Sequence, residues 1–321
     1  MSLHLVVISD PAAPHLRLLD PLREKAQIVM SLERETLAAA LREADVILNG
    51  MNVGHILRAV WPAANKVRWV HSLSAGLDGV LFPELVASPV VVTNARGVFR
   101  EPLAEFVILG ILYFAKHVPR LLAQQRRSEW KQFYVEEIAG RTLGVVGYGE
   151  IGRAAAAKAH ALGMRIAALR RRPELSAQDP LRPKLYSRDQ LRQMMADCDY
   201  IVAAAPLTPE TRGMIGAAEL DAMKPTGVII NVGRGPVIDE APLITALAEK
   251  RIRGAALDVF EQEPLPPDHP LWRLDNVLIS PHTADQTEDW LQRATQLFVE
   301  NFRRFVAGEP LLNVVDKQAG Y

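Results

Sequence analysis

Cysteine is almost missing from this chain of 321 residues. Cys198 stands alone, so neither an intrachain disulfide nor a cysteine cage for a metal can form, and no metal is expected. A surplus of charge is missing too: Lys plus Arg and Asp plus Glu both come to 37. That balance offers nothing to a nucleic acid or an anionic membrane surface. No window approaches the roughly eighteen uninterrupted apolar residues of a membrane span. The opening MSLHLVVISDPAAP has a short apolar run without a basic start and reads as a first strand, not a signal peptide. Low-complexity segments and repeats of solenoid period are also wanting. What remains is ordinary globular composition, 49% hydrophobic and 23% charged. A cytoplasmic protein of two domains is the expectation at this length.

Short β-rich runs alternate with helical patterns, which is the signature of βαβ units around a parallel sheet. A first block offers strands at 3–9, 27–30, 45–49, 67–72 and 90–94, with helical segments at 37–43 and 53–60. A long apolar helix is expected from about Pro102 to Leu122. A second series, at 142–146, 165–169, 200–204, 228–231, 254–258 and 276–279, predicts a six-stranded doubly wound domain. A last helix carries Trp290, Leu297, Phe298, Phe302 and Phe305 at helical spacing, as core packing requires.

The run GVVGYGEIG, followed by RAAAAKA, is a G-x-G-x-x-G turn between an apolar strand and an alanine-rich helix. Gly147 permits the tight turn, Gly149 lets a pyrophosphate approach the backbone, and Gly152 lets helix and strand pack closely. The helix N-terminus, at Glu150 and Ile151, then offers unpaired N–H groups to phosphates. Such a turn usually opens a dinucleotide fold, yet here a long segment precedes it. The simplest arrangement is an insertion. Residues 98–285 form a dinucleotide-binding domain set into a domain built from 1–97 and 286–321, with 96–101 and 283–287 as hinges. About 20 residues past the glycine turn an acidic residue usually accepts from the adenosine ribose. Here Leu169 is followed by Arg170, Arg171, Arg172 and Pro173. The absence of a carboxylate, with arginine in its place, favours a 2′-phosphate. NADP(H) is therefore expected over NAD(H), with Arg170 and Arg171 as the contacts.

Three more segments place polar groups just past predicted strands: IINVGRGPVID carries Arg234, ALDVFEQEP carries Asp258 and Glu263, and ISPHTA carries His282. Ligands in open α/β sheets bind outside the carboxyl ends of the strands, so these groups could share one crevice. Each also fits a plainer role. Arg234 could cap a turn, Glu263 could be a solvated loop carboxylate, and His282 could be a hydrogen-bonded hinge residue. His71 and His269 read as structural.

With GYGEIG, DCDYIVAAAPLTPETR, MKPTGVIINVGRGPVID, GAALDVFEQEPLP and DNVLISPH together, and the earlier SAGLD and VTNARG, the sequence resembles the D-isomer-specific 2-hydroxyacid dehydrogenases over nearly its whole length. That resemblance implies two Rossmann-like α/β domains, the nucleotide-binding one inserted into a flavodoxin-like substrate domain. It implies that Arg234 binds the substrate carboxylate and carbonyl, that His282 is the acid–base group, and that Glu263 pairs with it. Asp258 would bond the nicotinamide carboxamide. Pro206, Thr211, Val232 and Gly233 would line the cofactor alongside Arg234 and His282. Leu73, Ser74, Ala75 and Gly76 would hold the substrate carboxylate through backbone N–H groups. Met51, Phe99 and Trp290, with Leu73 and Ser74, are candidate pocket walls. The family usually has small residues soon after the histidine, whereas here Asp285 and Gln286 follow His282-Thr-Ala.

The expected activity is hydride transfer between NADP(H) and a small 2-keto or 2-hydroxy acid of the glyoxylate and hydroxypyruvate kind, running toward reduction. Oxidation of formate or phosphite is a weaker enzyme reading, since no asparagine-rich substrate loop is visible. A dinucleotide-sensing corepressor on the same fold is the alternative from another class. Neither a nucleic acid nor a membrane is an expected partner. The family habit implies a homodimer through the nucleotide domain, with the apolar helix after Arg100 and the loop around Trp130 as its interface.

Overall fold

The computed structural model describes residues 2–170 and 178–320. The chain divides into two compact units, one formed by Met1–Phe99 with Thr287–Tyr321 and the other by Arg100–Gln286. Each is built on a wholly parallel sheet.

In the first unit the strands are β1 (Leu3–Ile8), β2 (Ala26–Ser31), β3 (Val46–Asn49), β4 (Trp69–Ser72) and β5 (Val91–Asn94). Their order is β2-β1-β3-β4-β5, that of a flavodoxin-like sheet. Runs such as LVVI and VILN form its centre because apolar, often β-branched residues suit a strand buried on both faces. Three short helices connect the strands: α1 (Arg34–Leu41), α2 (Gly54–Val60) and α3 (Pro83–Ala87).

The second unit opens with α4 (Arg100–Ala115) and α5 (Val118–Arg126). These are two helices bent by 64° where the apolar pattern indicates one. His117 adopts a left-handed φ of 52°, and Pro119, lacking an N–H, sits in the first turn of α5, where it does no harm. The Arg253 guanidinium bonds the carbonyl of Phe114 and so closes the end of α4. Among the described residues no single helix is long and apolar enough to cross a membrane.

The strands of this unit are β6 (Thr142–Val146), β7 (Arg165–Leu169), β8 (Lys184–Tyr186), β9 (Tyr200–Ala203), β10 (Val228–Asn231), β11 (Gly254–Leu257) and β12 (Val277–Ile279). They lie in the order β12-β11-β10-β9-β6-β7-β8. The sheet has seven strands rather than six. The extra strand, β8, is a three-residue edge piece paired with β7, too short to show a pattern of its own. Between strands run α6 (Glu150–Ala161), α7 (Leu191–Asp197), α8 (Ala217–Asp221) and α9 (Glu240–Ala248). The strand order reverses at β6, which pairs with β7 on one side and β9 on the other. The carboxyl ends of the strands beside such a switch point form a natural ligand crevice.

The final helix, α10 (Trp290–Ala307), belongs to the first unit. It buries Ala294, Thr295, Phe298, Val299 and Phe302, with Phe298 stacked on Trp69 of β4 at 5.3 Å. Beyond it the chain turns back: buried Asn301 grips Leu312 through both its backbone N–H and its carbonyl. Val315 then bonds the carbonyl of Val92 in β5. Lys317 Nζ donates to the carbonyls of Leu85, Ser88 and Val90.

His71, on β4, is fully buried against Phe298. Trp69 Nε1 donates to Thr93 Oγ1, so that hydroxyl can donate in turn to His71 Nδ1 at 2.7 Å. His71 Nε2 has no partner. Burial pushes the imidazole down to about 3, so the folded chain holds it neutral while the unfolded chain protonates it near 6.5. The folded value lies below the unfolded one. Stability is therefore unaffected above pH 6.5 and is lost as pH falls from 6.5 toward 3. The loss by pH 5 is about 2 kcal/mol. Urea unfolding at pH 7 and pH 5 should show this extra loss in the wild type and not in His71→Met; equal losses in the two proteins would refute the account.

Candidate active site

The glycine turn sits at the switch point. Gly147 has φ 94°, a left-handed conformation costly to other residues, and a Cβ there would lie 2.4 Å from the Ala205 nitrogen. A Cβ on Gly152 would meet the Gly147 carbonyl oxygen at 2.4 Å, so only glycine lets α6 approach β6 this closely. Gly149, by contrast, faces open space, with nothing within 4 Å of an added Cβ. It is also the N-cap of α6, with Glu150 and Ile151 in the first turn. An uncovered backbone at a helix N-terminus fits a pyrophosphate. Arg153, one turn into α6, is ion-paired at 3.0 Å with the buried carboxylate of Asp179, tying that stretch of chain to the glycine-turn helix. Arg170 follows β7 directly and is half-buried. Arg171 lies outside the described residues.

The other candidates of this unit occupy the same carboxyl edge. Past β9, Thr211 Oγ1 donates to the Pro206 carbonyl at 2.6 Å and closes a turn there. Past β10 come Val232 and Gly233, both buried, and then Arg234. Asn231, the last residue of β10, brackets them: its Oδ1 accepts from Gly233 N–H and its Nδ2 donates to the Arg234 carbonyl. The Arg234 guanidinium donates to the Gly233 carbonyl at 2.8 Å.

Past β11, the carboxylate of Asp258 is buried, and one oxygen, Oδ1, accepts three hydrogen bonds. The donors are Ser280 Oγ at 2.6 Å and the backbone N–H groups of Thr283 and Ala284, both at 3.0 Å. His282 N–H adds a bond to the Asp258 carbonyl, and His282 takes φ 52° at the centre of this wrapped segment. The strained turn carries the imidazole to Glu263, whose Oε2 lies 2.6 Å from His282 Nδ1, while Glu263 Oε1 accepts from Phe260 N–H at 2.9 Å.

This geometry fixes the electrostatics. The hydrogen bond that His282 donates to Glu263, with the charge of that carboxylate, holds His282 above the ordinary imidazole range against the opposing effects of burial and of Arg234. Burial pushes the Glu263 carboxyl up, but the bonds from His282 and Phe260 and the positive charges of His282 and Arg234 hold it below the usual range overall. With Nδ1 committed to Glu263, Nε2 is the atom from which a proton can move. Arg234, Glu263 and His282 thus act on one another, as residues of three separate loops on one sheet edge. Glu263, bonded through both oxygens, is not a merely solvated loop carboxylate.

In the first unit Leu73, Ser74, Ala75 and Gly76 follow β4 at the corresponding carboxyl edge. Leu73 N–H bonds the Asn49 carbonyl, Asn94 Nδ2 donates to the Ala75 carbonyl at 2.7 Å, and Ser74 Oγ lies 3.3 Å from Met51 Sδ. Phe99 and Trp290 form an aromatic pair with ring centres 5.6 Å apart. His269 bonds Glu240 with one ring nitrogen and caps the turn at Leu271 with the other, a structural role.

Asn231, Ser280 and Asp179 were not singled out by sequence. The signal for the first two is a polar residue at the very end of an apolar strand run, where burial demands a partner.

A glycine turn at the switch point of a doubly wound sheet, with a paired histidine and an arginine on the same edge, defines a dinucleotide-dependent oxidoreductase. The family model for the D-isomer specific 2-hydroxyacid dehydrogenase, NAD binding domain, matches residues 108–284. A glyoxylate reductase of Korarchaeum cryptofilum is 35% identical, over 81% of this chain and 79% of its own length. A D-3-phosphoglycerate dehydrogenase of Methanocaldococcus jannaschii is 32% identical over 97% of this chain, which spans 59% of that longer protein. A D-isomer specific 2-hydroxyacid dehydrogenase of Xanthobacter autotrophicus, solved with NADPH and MES, superposes with a TM-score of 0.84 at 31% identity, over 100% of both chains. The chain belongs to the D-isomer specific 2-hydroxyacid dehydrogenase family and is an NAD(P)-dependent enzyme of that kind.

Replacing Glu263 by Gln removes the charge that holds His282 protonated. The His282 titration midpoint, followed by the imidazole proton resonances, should fall. An unmoved midpoint would show that Glu263 does not govern the histidine.

Proposed function

We propose that the enzyme reduces a small 2-keto acid of the glyoxylate and hydroxypyruvate kind and prefers NADP(H). The observation that carries this reading is the His282–Glu263 pair at 2.6 Å, within the field of Arg234. Arg234 grips the substrate carboxylate and carbonyl, since a planar guanidinium can bind such a group through two charge-assisted bonds. The nicotinamide, when bound, supplies hydride to the carbonyl carbon. His282 Nε2 gives its proton to the carbonyl oxygen, leaving a 2-hydroxy acid and a neutral imidazole. Glu263 keeps the ring oriented and charged until that moment. Asp258 fixes the histidine turn, and its second oxygen is the acceptor offered to the nicotinamide carboxamide. Leu73, Ser74, Ala75 and Gly76 offer backbone N–H groups to the substrate carboxylate. In this reading Met1–Phe99 with Thr287–Tyr321 is the substrate unit and Arg100–Gln286 the nucleotide unit.

The cofactor preference rests on Arg170 at the end of β7, where an acidic residue would repel a 2′-phosphate. One charge-assisted bond there is worth about 1.5–3 kcal/mol, roughly a tenfold to hundredfold preference. One panel tests the whole reading: glyoxylate, hydroxypyruvate and pyruvate, each with NADPH and NADH. His282→Ala should lower turnover on the order of 10²–10⁴-fold, and near wild-type turnover in it would remove the acid–base assignment. Arg170→Asp should shift kcat/KM toward NADH. Equal or better use of NADH by the wild type would defeat the preference. A protein that binds the dinucleotide but turns over no 2-keto acid would be a sensor instead.

The partner is a second copy of the chain. Trp130 and Tyr134 are 95% and 99% exposed, and Leu121 and Val135 beside them are exposed as well. An apolar patch of this kind on one segment of a monomer calls for a cover. Light scattering should give about twice the 35.5 kDa chain mass, falling to the single-chain value in the double variant Trp130→Glu, Tyr134→Glu. A wild-type monomer would refute the dimer.

A further inference from the structure

Asp285, close behind the histidine turn, is a carboxyl to which the proposed chemistry gives no task. It follows the histidine turn by three residues, and its backbone is held in place. Thr283 and Ala284 are bonded to Asp258 Oδ1, and Gln286 N–H closes back on the Thr283 carbonyl at 3.1 Å. Gln286 Nε2 also donates to the His282 carbonyl. The Asp285 side chain is half-buried. Among the described residues it forms no ion pair and no hydrogen bond to another side chain. Its neighbours in charge are His282, Asp258 and Arg234. Burial, aided by Asp258, holds its carboxyl above the usual range against the attraction of His282 and Arg234.

Its own backbone N–H bonds the carboxyl, but a half-buried carboxyl with no side-chain partner keeps lone pairs that a further donor could fill. Two of the groups that feel it, His282 and Arg234, are those between which the substrate's carbonyl and carboxylate lie in the proposed reaction. The remaining substituent of the substrate's carbonyl carbon is therefore the part of the ligand left for Asp285. A hydroxyl there would donate to the carboxylate and satisfy it. A second carboxylate or a phosphate would meet like charge in a site partly shielded from water, where such repulsion is strong.

We infer that Asp285 is a specificity-determining residue, which disfavours 2-keto acids whose remaining substituent on the carbonyl carbon carries an anionic group and favours those in which it is hydrogen or carries a hydroxyl. The inference rests on the 2-keto acid reductase reading, and the two can fail separately. Two like charges about 6 Å apart in a partly shielded site interact strongly enough to change selectivity by on the order of tenfold to a hundredfold.

The test measures kcat/KM for oxaloacetate and for glyoxylate in the wild type, Asp285→Asn, Asp285→Ser and Asp285→Glu. Taking the ratio of the two substrates cancels any change common to both, including altered acid–base chemistry at His282. The oxaloacetate-to-glyoxylate ratio should rise at least about fivefold in the Asn and Ser variants and stay near the wild-type value in the charge-retaining Glu variant. Thermal melting of each variant separates misfolding from altered selectivity, and the Ser variant serves if Asn does not fold. A smaller rise in a folded Asn or Ser variant, or an equal rise in Asp285→Glu, overturns the inference. If the wild type reduces no 2-keto acid with either dinucleotide, it is the underlying reading that fails. If it reduces glyoxylate and the ratio does not move, only the role of Asp285 does.

Discussion

The buried carboxylate of Asp258 is the interaction on which the rest of the active-site edge depends. A carboxylate enclosed by protein must have its lone pairs satisfied, and here the donors come from a single stretch, residues 280–284. Meeting that demand bends the backbone so that His282 takes a left-handed conformation that an L-residue otherwise avoids. The bend presents the imidazole to Glu263 and leaves Asp285 within the field of His282. A single buried charge thereby sets the position of two titratable groups that it never touches through their side chains.

Around that centre the sheet supplies alignment at little cost. Parallel strands bring every βα loop to the same edge, so residues far apart in sequence, from Gly147 to His282, meet without special devices. The loops then need only local fastening. Asn231 brackets Gly233 and Arg234, Thr211 closes its own turn on Pro206, and Phe260 N–H holds one oxygen of Glu263 while the other faces His282.

Much of this was legible in the sequence because the signals are local. The five strands of the first sheet and six of the seven in the second announce themselves as short apolar runs between turns. The glycine turn states its own geometry. What stayed hidden depends on contacts across the fold. β8 exists because β7 offers an open edge, not because KLY is a strong strand. The break between α4 and α5 follows from His117 and from the guanidinium of Arg253, which lies far along the chain. Pro119 is the mark of the break that the sequence does carry, because a proline this far inside an apolar run kinks or ends a helix, and the expectation of one helix passed over it. The buried anchors Asn231, Ser280 and Asp179 are ordinary polar residues until their burial is known.

The threading of the first unit has a consequence for biogenesis. Its core includes Phe298, Phe302 and Val315, and its β5 edge is fastened by Lys317. The inserted unit, by contrast, has all its residues by Gln286. During synthesis from the N-terminus the five-stranded sheet therefore emerges first and waits, with the apolar face around Trp69 uncovered, while the dinucleotide unit is made and can fold as a self-contained body. Closing a loop of that length is not the obstacle, because its entropy grows only slowly with chain length. The exposure is in time: a ribosome stalled once Gln286 has emerged, but before α10 has, displays a finished nucleotide-binding unit and an open, aggregation-prone sheet on one nascent chain.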